Sequence, residues 1–234
     1  STLFPYTTLF RSGVALVQAL IAGANGESAL RDTAAQSYLQ GVDGSCLERD
    51  LTLGRGGTVL GSILLLESLP DIDSPLRQSV RRQAEQQLDA LWAEATAFDR
   101  LEHSRHWPNL GIAHGWAGLL YVTLRLHALT GAALPAALEE RLEQWLQTAR
   151  PLGRGVVWPC RQAADDPDHA SMPGWCNGSA GMVHLACLGH RLLGDDRLID
   201  MAEAAAWHAW EAGEGPVDLC CGYAGRAYAL LELQ

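Results

Sequence analysis

Four stretches of the sequence share one layout, in which a G-x-x-G pair is followed directly by an apolar run at helical spacing. Their leading glycines are Gly54, Gly115, Gly178 and Gly222. The layout recurs at a loose interval of several tens of residues, which is typical of chains built from repeated supersecondary units. It therefore predicts four almost wholly apolar helices, each led by glycine, within a helical repeat fold.

More polar helices are predicted between these apolar ones. The segment that begins at Ser74 carries one apolar stripe at spacings of three and four residues, formed by Val80, Ala84, Leu88, Leu91 and Ala95. Alternation of an apolar helix with an amphipathic one indicates two layers, of which the first is enclosed and the second faces solvent. We therefore predict an all-α fold of stacked helical hairpins, either an open solenoid or a closed ring.

Length and composition narrow the class of protein. A chain of 234 residues with 48% hydrophobic content is about the size of one domain and can bury a large core. The net charge of -10, with no block of Lys and Arg, argues against a nucleic-acid partner. No run reaches the roughly 18 apolar residues of a membrane span. Six cysteines fall far below the density of a secreted disulfide scaffold, which favours a reducing, cytoplasmic location.

Both ends of the chain suggest a longer parent protein. The opening STLFPYTTLFRS lacks a helical period, and we interpret residues 1–12 as an artefact or a disordered tail. The closing YALLELQ ends inside an apolar helical pattern without a stop signal. Residues 13–234 are therefore predicted to form the domain, as part of a larger ring or array.

The connection from about Pro151 to Gly174 is too long for a simple turn. Connections of this length are often functional, so we interpret it as a candidate lid or substrate wall, with a short extended piece in GRGVVWPC. Asp168 and His169 lie in this connection, where a solvated loop face is the favoured reading.

Reactive side chains cluster at the glycines that lead the apolar helices. They are Asp50, His114, Cys176, Cys220 and Cys221. Because equivalent turns of stacked hairpins meet at one end of the fold, these groups are predicted to converge. Three cysteines suit Zn²⁺, which prefers thiolate ligands and would keep one open position. The alternative is that these cysteines are small buried apolar residues, since free cysteine is often buried.

The motifs GWCNGSAG, LCCGYAGRAYALL and IAHGWAGLL resemble those of the lanthionine synthetase C-like (LanC-like) cyclase family over Asp50 to the C-terminus. The resemblance implies an α/α toroid of inner and outer helices, which this chain would form only in part. It also implies one zinc held by Cys176, Cys220 and Cys221, where C-C-G replaces the commoner C-H-G. The disulfide-free reading of the adjacent thiols agrees with this, since neighbouring cysteines rarely bridge each other.

The resemblance extends unevenly to the other site residues. Asp50 matches the aspartate of the family's D-x-x-x-G-x-x-G motif, and His114 matches the histidine of its H-G-x-x-G motif. Met172 stands where the family has an arginine, and Asn177 stands where it often has a tyrosine. From the residues alone, Asp50 could equally be a helix cap, and His114 a cap or core histidine.

The reaction that the resemblance implies is conjugate addition of a peptide cysteine to dehydroalanine or dehydrobutyrine, which closes a thioether ring. A dehydrated precursor peptide is then the substrate, and an N-terminal dehydratase or kinase-like domain is expected in the parent protein. Two alternatives stay open. One is an enzyme that adds glutathione to dehydroamino acids, and the other is a zinc-binding scaffold without turnover, which Met172 and Asn177 would suit.

Overall fold

The structure is a computed structural model that describes residues 5–42, 46–160 and 171–234. Over these ranges it is almost wholly helical, which confirms the predicted all-α fold. The only other regular elements described are a short 3-10 helix, Leu101–His103, and one antiparallel strand pair. The helices are α1 Pro5–Ala24, α2 Ser28–Gly41, α3 Arg55–Ser68, α4 Pro75–Thr96, α5 Trp116–Thr130, α6 Leu138–Gln147, α7 Ser179–Leu193, α8 Asp196–Glu211 and α9 Tyr223–Leu231.

Burial confirms the predicted alternation of helix types for α3, α5 and α7, whereas α9 exposes Tyr223, Tyr228 and Leu231. The glycine-led helices are α3, α5, α7 and α9, and each begins directly after its leading glycine. Between them, α4 buries all five residues of its predicted stripe, Val80, Ala84, Leu88, Leu91 and Ala95. None of the helices in the described ranges has the length and apolar character needed to cross a membrane.

The chain divides into two compact units. Unit 1 comprises the described residues up to Ala93 together with Arg125–Ala133, and unit 2 comprises Glu94–Leu124 with Leu134–Gln234. In unit 1, α1 and α2 form a helical hairpin. The buried Tyr38 of α2 donates its hydroxyl to the carbonyl of Thr58, at 2.5 Å, and lies over Gly61 of α3. The hairpin therefore packs where the glycine leaves room on α3.

The core of unit 2 contains three buried tryptophan rings, one of which lies under the buried cation of Arg141. Trp116, Trp145 and Trp158 are fully buried, and Trp145 stacks on Trp158 with ring centroids 4.8 Å apart. The buried guanidinium of Arg141 lies over the Trp116 ring and donates to the carbonyls of Ala95 and Phe98. These carbonyls lie at the end of α4, where helix acceptors lack intrahelical partners, so the cation is compensated by backbone dipoles.

Four closed turns precede the glycine-led helices, and they place the candidate site. They are turn 1 (48–54), turn 2 (109–115), turn 3 (172–178) and turn 4 (216–222). In each, the first helical residue donates its N–H to the carbonyl that opens the turn, at 2.9–3.1 Å, as in Ser179 N to Met172 O and Tyr223 N to Pro216 O. A Cβ on the last glycine of any of these turns would lie under 3.0 Å from backbone atoms. Glycine is thus required here by close approach.

A β-hairpin follows α6. Strand β1, Arg150–Leu152, pairs antiparallel with β2, Gly155–Val157, so the predicted extended piece exists and is one arm of a hairpin. Its turn includes Gly153 in the left-handed region, with φ of 60°. Arg154 stacks over the Trp207 ring of α8, at 3.5 Å from the ring centroid, and pairs with Glu211. The hairpin is therefore anchored on an outer helix.

The predicted lid and the predicted N-terminal tail lie partly or wholly outside the described residues. Residues 161–170, which include Asp168 and His169, lie outside the described residues, so the lid stays a prediction. Helix α1 begins at Pro5 and includes residues 5–12 of the opening segment that is predicted to be an artefact or a disordered tail. The division at residue 13 likewise stays a prediction.

Candidate metal centre

The three cysteines singled out in the sequence lie together in unit 2. The Sγ atoms of Cys176 and Cys221 are 3.3 Å apart, and those of Cys221 and Cys220 are 3.6 Å apart. All three sulfurs lie within 4.8 Å of one another. All six cysteines of the chain are free thiols, so none of these three is used in a disulfide.

Turns 3 and 4 bring these thiols together because they pack directly on each other. The N–H groups of Trp175 and Cys176 both donate to the carbonyl of Cys220, at 2.7 and 3.3 Å. Gly174 lies against the backbone of Cys221, where an added Cβ would be 2.7 Å from Cys221 Cα. Cys176 and Cys220 hold the same position, two residues before the last glycine of their turns. The repeat therefore places the thiols of Cys176 and Cys220, which hold equivalent turn positions, next to each other.

The donor set and its spacing fit a metal ion. Tetrahedral zinc with Zn–S bonds of about 2.3 Å has ligand sulfurs about 3.8 Å apart. The observed separations of 3.3 and 3.6 Å are close to that edge length. Three thiols could therefore hold a thiophilic ion with one position left for another ligand.

The electrostatics of the cluster also favour a cation. Burial raises the pKa of the Cys176 thiol, and the neighbouring Cys221 and Cys220 thiols raise it further. Burial likewise raises the pKa of Cys220, with a further contribution from Cys221. Three thiolates this close repel one another unless a positive charge lies between them, and a bound divalent ion would reverse both shifts.

His114 belongs to turn 2, which packs against turn 3. The N–H of Ala113 donates to the carbonyl of Cys176 at 2.9 Å, and the carbonyl of His114 accepts from Trp107 Nε1 at 3.1 Å. Gly111 lies against the Cys176 carbonyl, which an added Cβ would approach to 2.6 Å. The backbone of the predicted catalytic histidine is thus fixed relative to the first predicted ligand.

Asp50 belongs to turn 1, in unit 1, and its carboxylate organises that turn. Its Oδ1 accepts from the N–H groups of Thr52 and Leu53, at 2.9 and 2.6 Å. The N-cap of α3 is Gly54, so Asp50 caps the preceding turn instead of the helix. The alternative that Asp50 caps the helix is therefore wrong, and the catalytic role of Asp50 stays a prediction.

Two comparisons with known proteins bear on the three-cysteine cluster. The search of curated proteins found no match for the chain. The family model described as lanthionine synthetase C-like protein matches residues 4–234. The chain belongs to the lanthionine synthetase C-like family. Membership confirms the α/α toroid class predicted from the motifs, and it supports a cyclase or a related thiol-addition function.

Two residues of this LanC-like chain depart from the family pattern near the cysteines. Asn177 holds the same turn position as His114 and Cys221, and its Oδ1 is buried without a hydrogen-bond partner among the described residues. It lies against Gly111 of turn 2. Met172 opens turn 3, where its carbonyl accepts from Ser179. Met172 therefore has a backbone role that any residue could fill, whereas Asn177 places a polar atom between two turns.

A largely apolar cavity of about 420 Å³ opens beside Cys220 in the LanC-like chain. Trp175, Leu219, Gly225 and Tyr228 line it together with His184. Burial lowers the pKa of His184, and Glu232, at 3.5 Å, opposes that shift. Sequence reasoning missed His184, although it is a polar residue within the apolar run of α7.

Asp218 is the second residue that sequence reasoning missed. Its Oδ1 accepts from the N–H groups of Cys220 and Cys221, at 2.9 and 2.8 Å. These bonds lower the pKa of the carboxyl, with that from Cys221 contributing most. The signal was available, because turn 4 and turn 1 share the pattern D-L-x-x-G.

Proposed function

We propose that this LanC-like chain binds one zinc ion through Cys176, Cys220 and Cys221 and acts as a lanthipeptide cyclase. It would join a cysteine thiol of a dehydrated peptide to a dehydroalanine or dehydrobutyrine of the same peptide. The observation that carries the proposal is the convergence of three thiol sulfurs within 4.8 Å. Bound zinc supplies the Lewis acidity that lowers the pKa of a substrate thiol, so that the nucleophilic thiolate persists near neutral pH.

The remaining steps need proton transfers that side chains can supply. The C–S bond forms as the π electrons of the alkene move to give an enolate, and the α-carbon then takes up a proton. The proton lost by the thiol balances the one gained at carbon. Imidazole is the commonest general acid–base group in enzymes, and we assign protonation of the enolate carbon to His114. We assign to Asp50 either acceptance of the thiol proton or orientation of a histidine.

The proposed reaction requires a dehydrated substrate, an enzyme that dehydrates it, and a location that keeps thiols reduced. The substrate is a dehydrated precursor peptide, and the enzyme that dehydrates it would be a dehydratase or kinase-like domain of the parent protein. A cytoplasmic location suits six free thiols, because disulfides persist mainly in oxidising compartments.

Metal analysis of purified protein tests the ligand set. We expect one zinc per wild-type chain and loss of stoichiometric zinc in Cys176→Ala, Cys220→Ala and Cys221→Ala. Cys187→Ala is the matched control, because Cys187 is a buried thiol of the same unit outside the cluster. Zinc retained in all three ligand variants, or absent from the wild type, would contradict the proposal.

A peptide with one cysteine and one dehydroalanine tests the chemistry. Cyclisation leaves its mass unchanged and removes the free thiol, so mass spectrometry after N-ethylmaleimide treatment separates product from substrate. We expect His114→Ala to slow thiol loss by about 10²- to 10⁴-fold, the usual contribution of a general acid, while zinc content stays unchanged. Addition of glutathione without ring closure would favour the glutathione-transferring alternative. Zinc binding with neither reaction would favour the scaffold.

A further inference from the structure

We infer that Asp218 is a positioning residue for the candidate metal centre, acting as the final acceptor of a hydrogen-bond chain that runs through turns 2, 3 and 4. The inference rests on the proposed zinc site, and it adds a residue outside the ligand set. Asp218 is an exposed residue of turn 4, and its hydrogen bonds to the cysteines go to their backbone N–H groups.

The hydrogen-bond chain passes through one residue of each turn. Ala113 N donates to Cys176 O at 2.9 Å, and Cys176 N donates to Cys220 O at 3.3 Å. Cys220 N then donates to Asp218 Oδ1 at 2.9 Å. The chain therefore links the turn of His114 to both cysteine turns and ends on a carboxylate. Bonds to a charged acceptor are stronger than neutral ones, so the bond to Asp218 is expected to be the strongest of the three.

The residues equivalent to Asp218 explain why turn 4 needs its own acceptor. Turns 2 and 3 have Gly111 and Gly174 at this position, and both lie so close to the next turn that an added Cβ would come under 3.0 Å from its backbone. A neighbouring turn holds these two in place. Turn 4 instead has an aspartate, and its Oδ1 accepts from the N–H groups of Cys220 and Cys221.

Turn 1 shows the same device without metal ligands. Asp50 accepts from the N–H groups of Thr52 and Leu53 as Asp218 accepts from those of Cys220 and Cys221. The D-L-x-x-G turn is thus a conformation that this chain builds independently of a metal site. In turn 4 the same conformation orients two candidate ligands. The backbone of Cys220 and Cys221 sets the direction of each Cα–Cβ bond, and therefore the direction in which each thiol extends.

Substitution of Asp218 should weaken metal binding while the ligands remain in place. Asp218→Ala removes the acceptor and leaves two N–H groups of turn 4 without it. Groups that orient metal ligands typically change metal affinity by about 10- to 100-fold, and we expect a loss of zinc affinity in that range. Asp218→Asn keeps Oδ1 as an acceptor, so it should bind zinc nearly as tightly as the wild type.

The test is zinc affinity by competition with a chromophoric chelator, together with the thiolate-to-metal charge-transfer band of the Co²⁺ form. We expect a weaker, shifted band in Asp218→Ala and a wild-type band in Asp218→Asn. The control is Asp195→Ala, since Asp195 caps α8 by accepting from Arg197 N at 3.0 Å away from the cysteines. It should lower Tm and leave zinc affinity unchanged.

The outcomes separate this inference from the proposed function. If the wild type binds zinc and Asp218→Ala binds it equally well, the inference is overturned and the zinc site stands. If the wild type binds no zinc, both fail together. Should Asp218→Ala fail to fold, Asp218→Ser provides a weaker hydroxyl acceptor. Its zinc affinity should then fall between those of the Asn variant and a cysteine variant, and an undiminished affinity would overturn the inference.

Discussion

At the scale of single residues, the turn glycines carry the strictest requirement in the chain. The N-cap Gly178 has extended backbone angles that other residues adopt, with φ of -128°. Its constraint is space, because an added Cβ would collide with the carbonyl of Met172. We expect Gly178→Ala to force turn 3 open, displacing Cys176 and lowering both Tm and zinc content.

Gly13 provides the comparison for that substitution. It lies in α1, and an added Cβ would meet nothing within 4 Å. Gly13→Ala should therefore stabilise the protein by about 0.5–1 kcal/mol, the usual difference between the two residues within a helix. Differential scanning calorimetry checks both variants, and a Gly178→Ala protein as stable as the wild type would contradict the close-approach argument.

The sequence correctly predicted that the cysteines of turns 3 and 4 lie together, whereas their role as metal ligands stays a prediction. These cysteines stand out in the sequence because each lies within two residues of a glycine that leads an apolar helix. Asp218 did not stand out, since its function depends on which N–H groups its oxygen reaches, and that follows only from the closed turn. Asn177 is similar, because its buried Oδ1 becomes notable only once Gly111 is seen to lie against it.

At the scale of elements, a side-chain hydrogen bond ties the start of α7 to the outer helix α8. His208 Nδ1 and the buried Ser179 Oγ share a hydrogen bond of 2.7 Å at the first residue of α7. Burial lowers the pKa of His208, and the positive charge of Arg226 lowers it further. Near neutral pH, His208 of α8 is therefore in the neutral form where it contacts the first residue of α7.

This shift predicts a stability loss in mild acid. The unfolded chain takes up a proton near the usual histidine pKa of 6.5, whereas the folded chain resists it to lower pH. The unfolded state thus binds more protons below that value, and stability should fall as the pH drops through it. Thermal melts from pH 8 to pH 5 should show this fall, with a smaller fall in His208→Gln.

Part of the acid dependence should persist in that variant, because burial also lowers the pKa of His184. A His208→Gln profile that overlays the wild type would show that His208 titrates normally in the folded state. Circular dichroism at pH 8 is the control, where the two proteins should have the same helix content.

Elements were more predictable than the contacts between them. The glycine-led helices and the α4 stripe follow from apolar spacing, which reports burial directly. The β-hairpin was harder, since three-residue strands carry too few positions for an alternating pattern. Its place on α8 depends on Arg154 stacking over Trp207, a contact between residues distant in sequence.

At the scale of the whole molecule, the candidate metal ligands lie in only one of the two units, so a bound metal would directly stabilise that unit alone. All three candidate ligands lie in unit 2, whereas turn 1 lies in unit 1 and has Thr52 and Leu53 at the ligand positions. The repeat pattern alone did not predict this division, because it treats all four turns as equivalent. Only side-chain identity distinguishes the turns that carry candidate metal ligands from turn 1, which carries none.

Metal removal should therefore affect the chain unevenly. A ligand that binds only the folded state adds about 2.7 kcal/mol at a concentration 100-fold above its Kd. We expect chelation of zinc to lower Tm in the wild type and to leave the Tm of Cys221→Ala unchanged.

Hydrogen–deuterium exchange should show faster exchange in residues 172–178 and 216–222 after chelation. Turn 1, residues 48–54, is the internal control, since it has the same closed geometry without thiols. An equal increase there would mean that the metal stabilises the fold from somewhere other than the cysteine cluster.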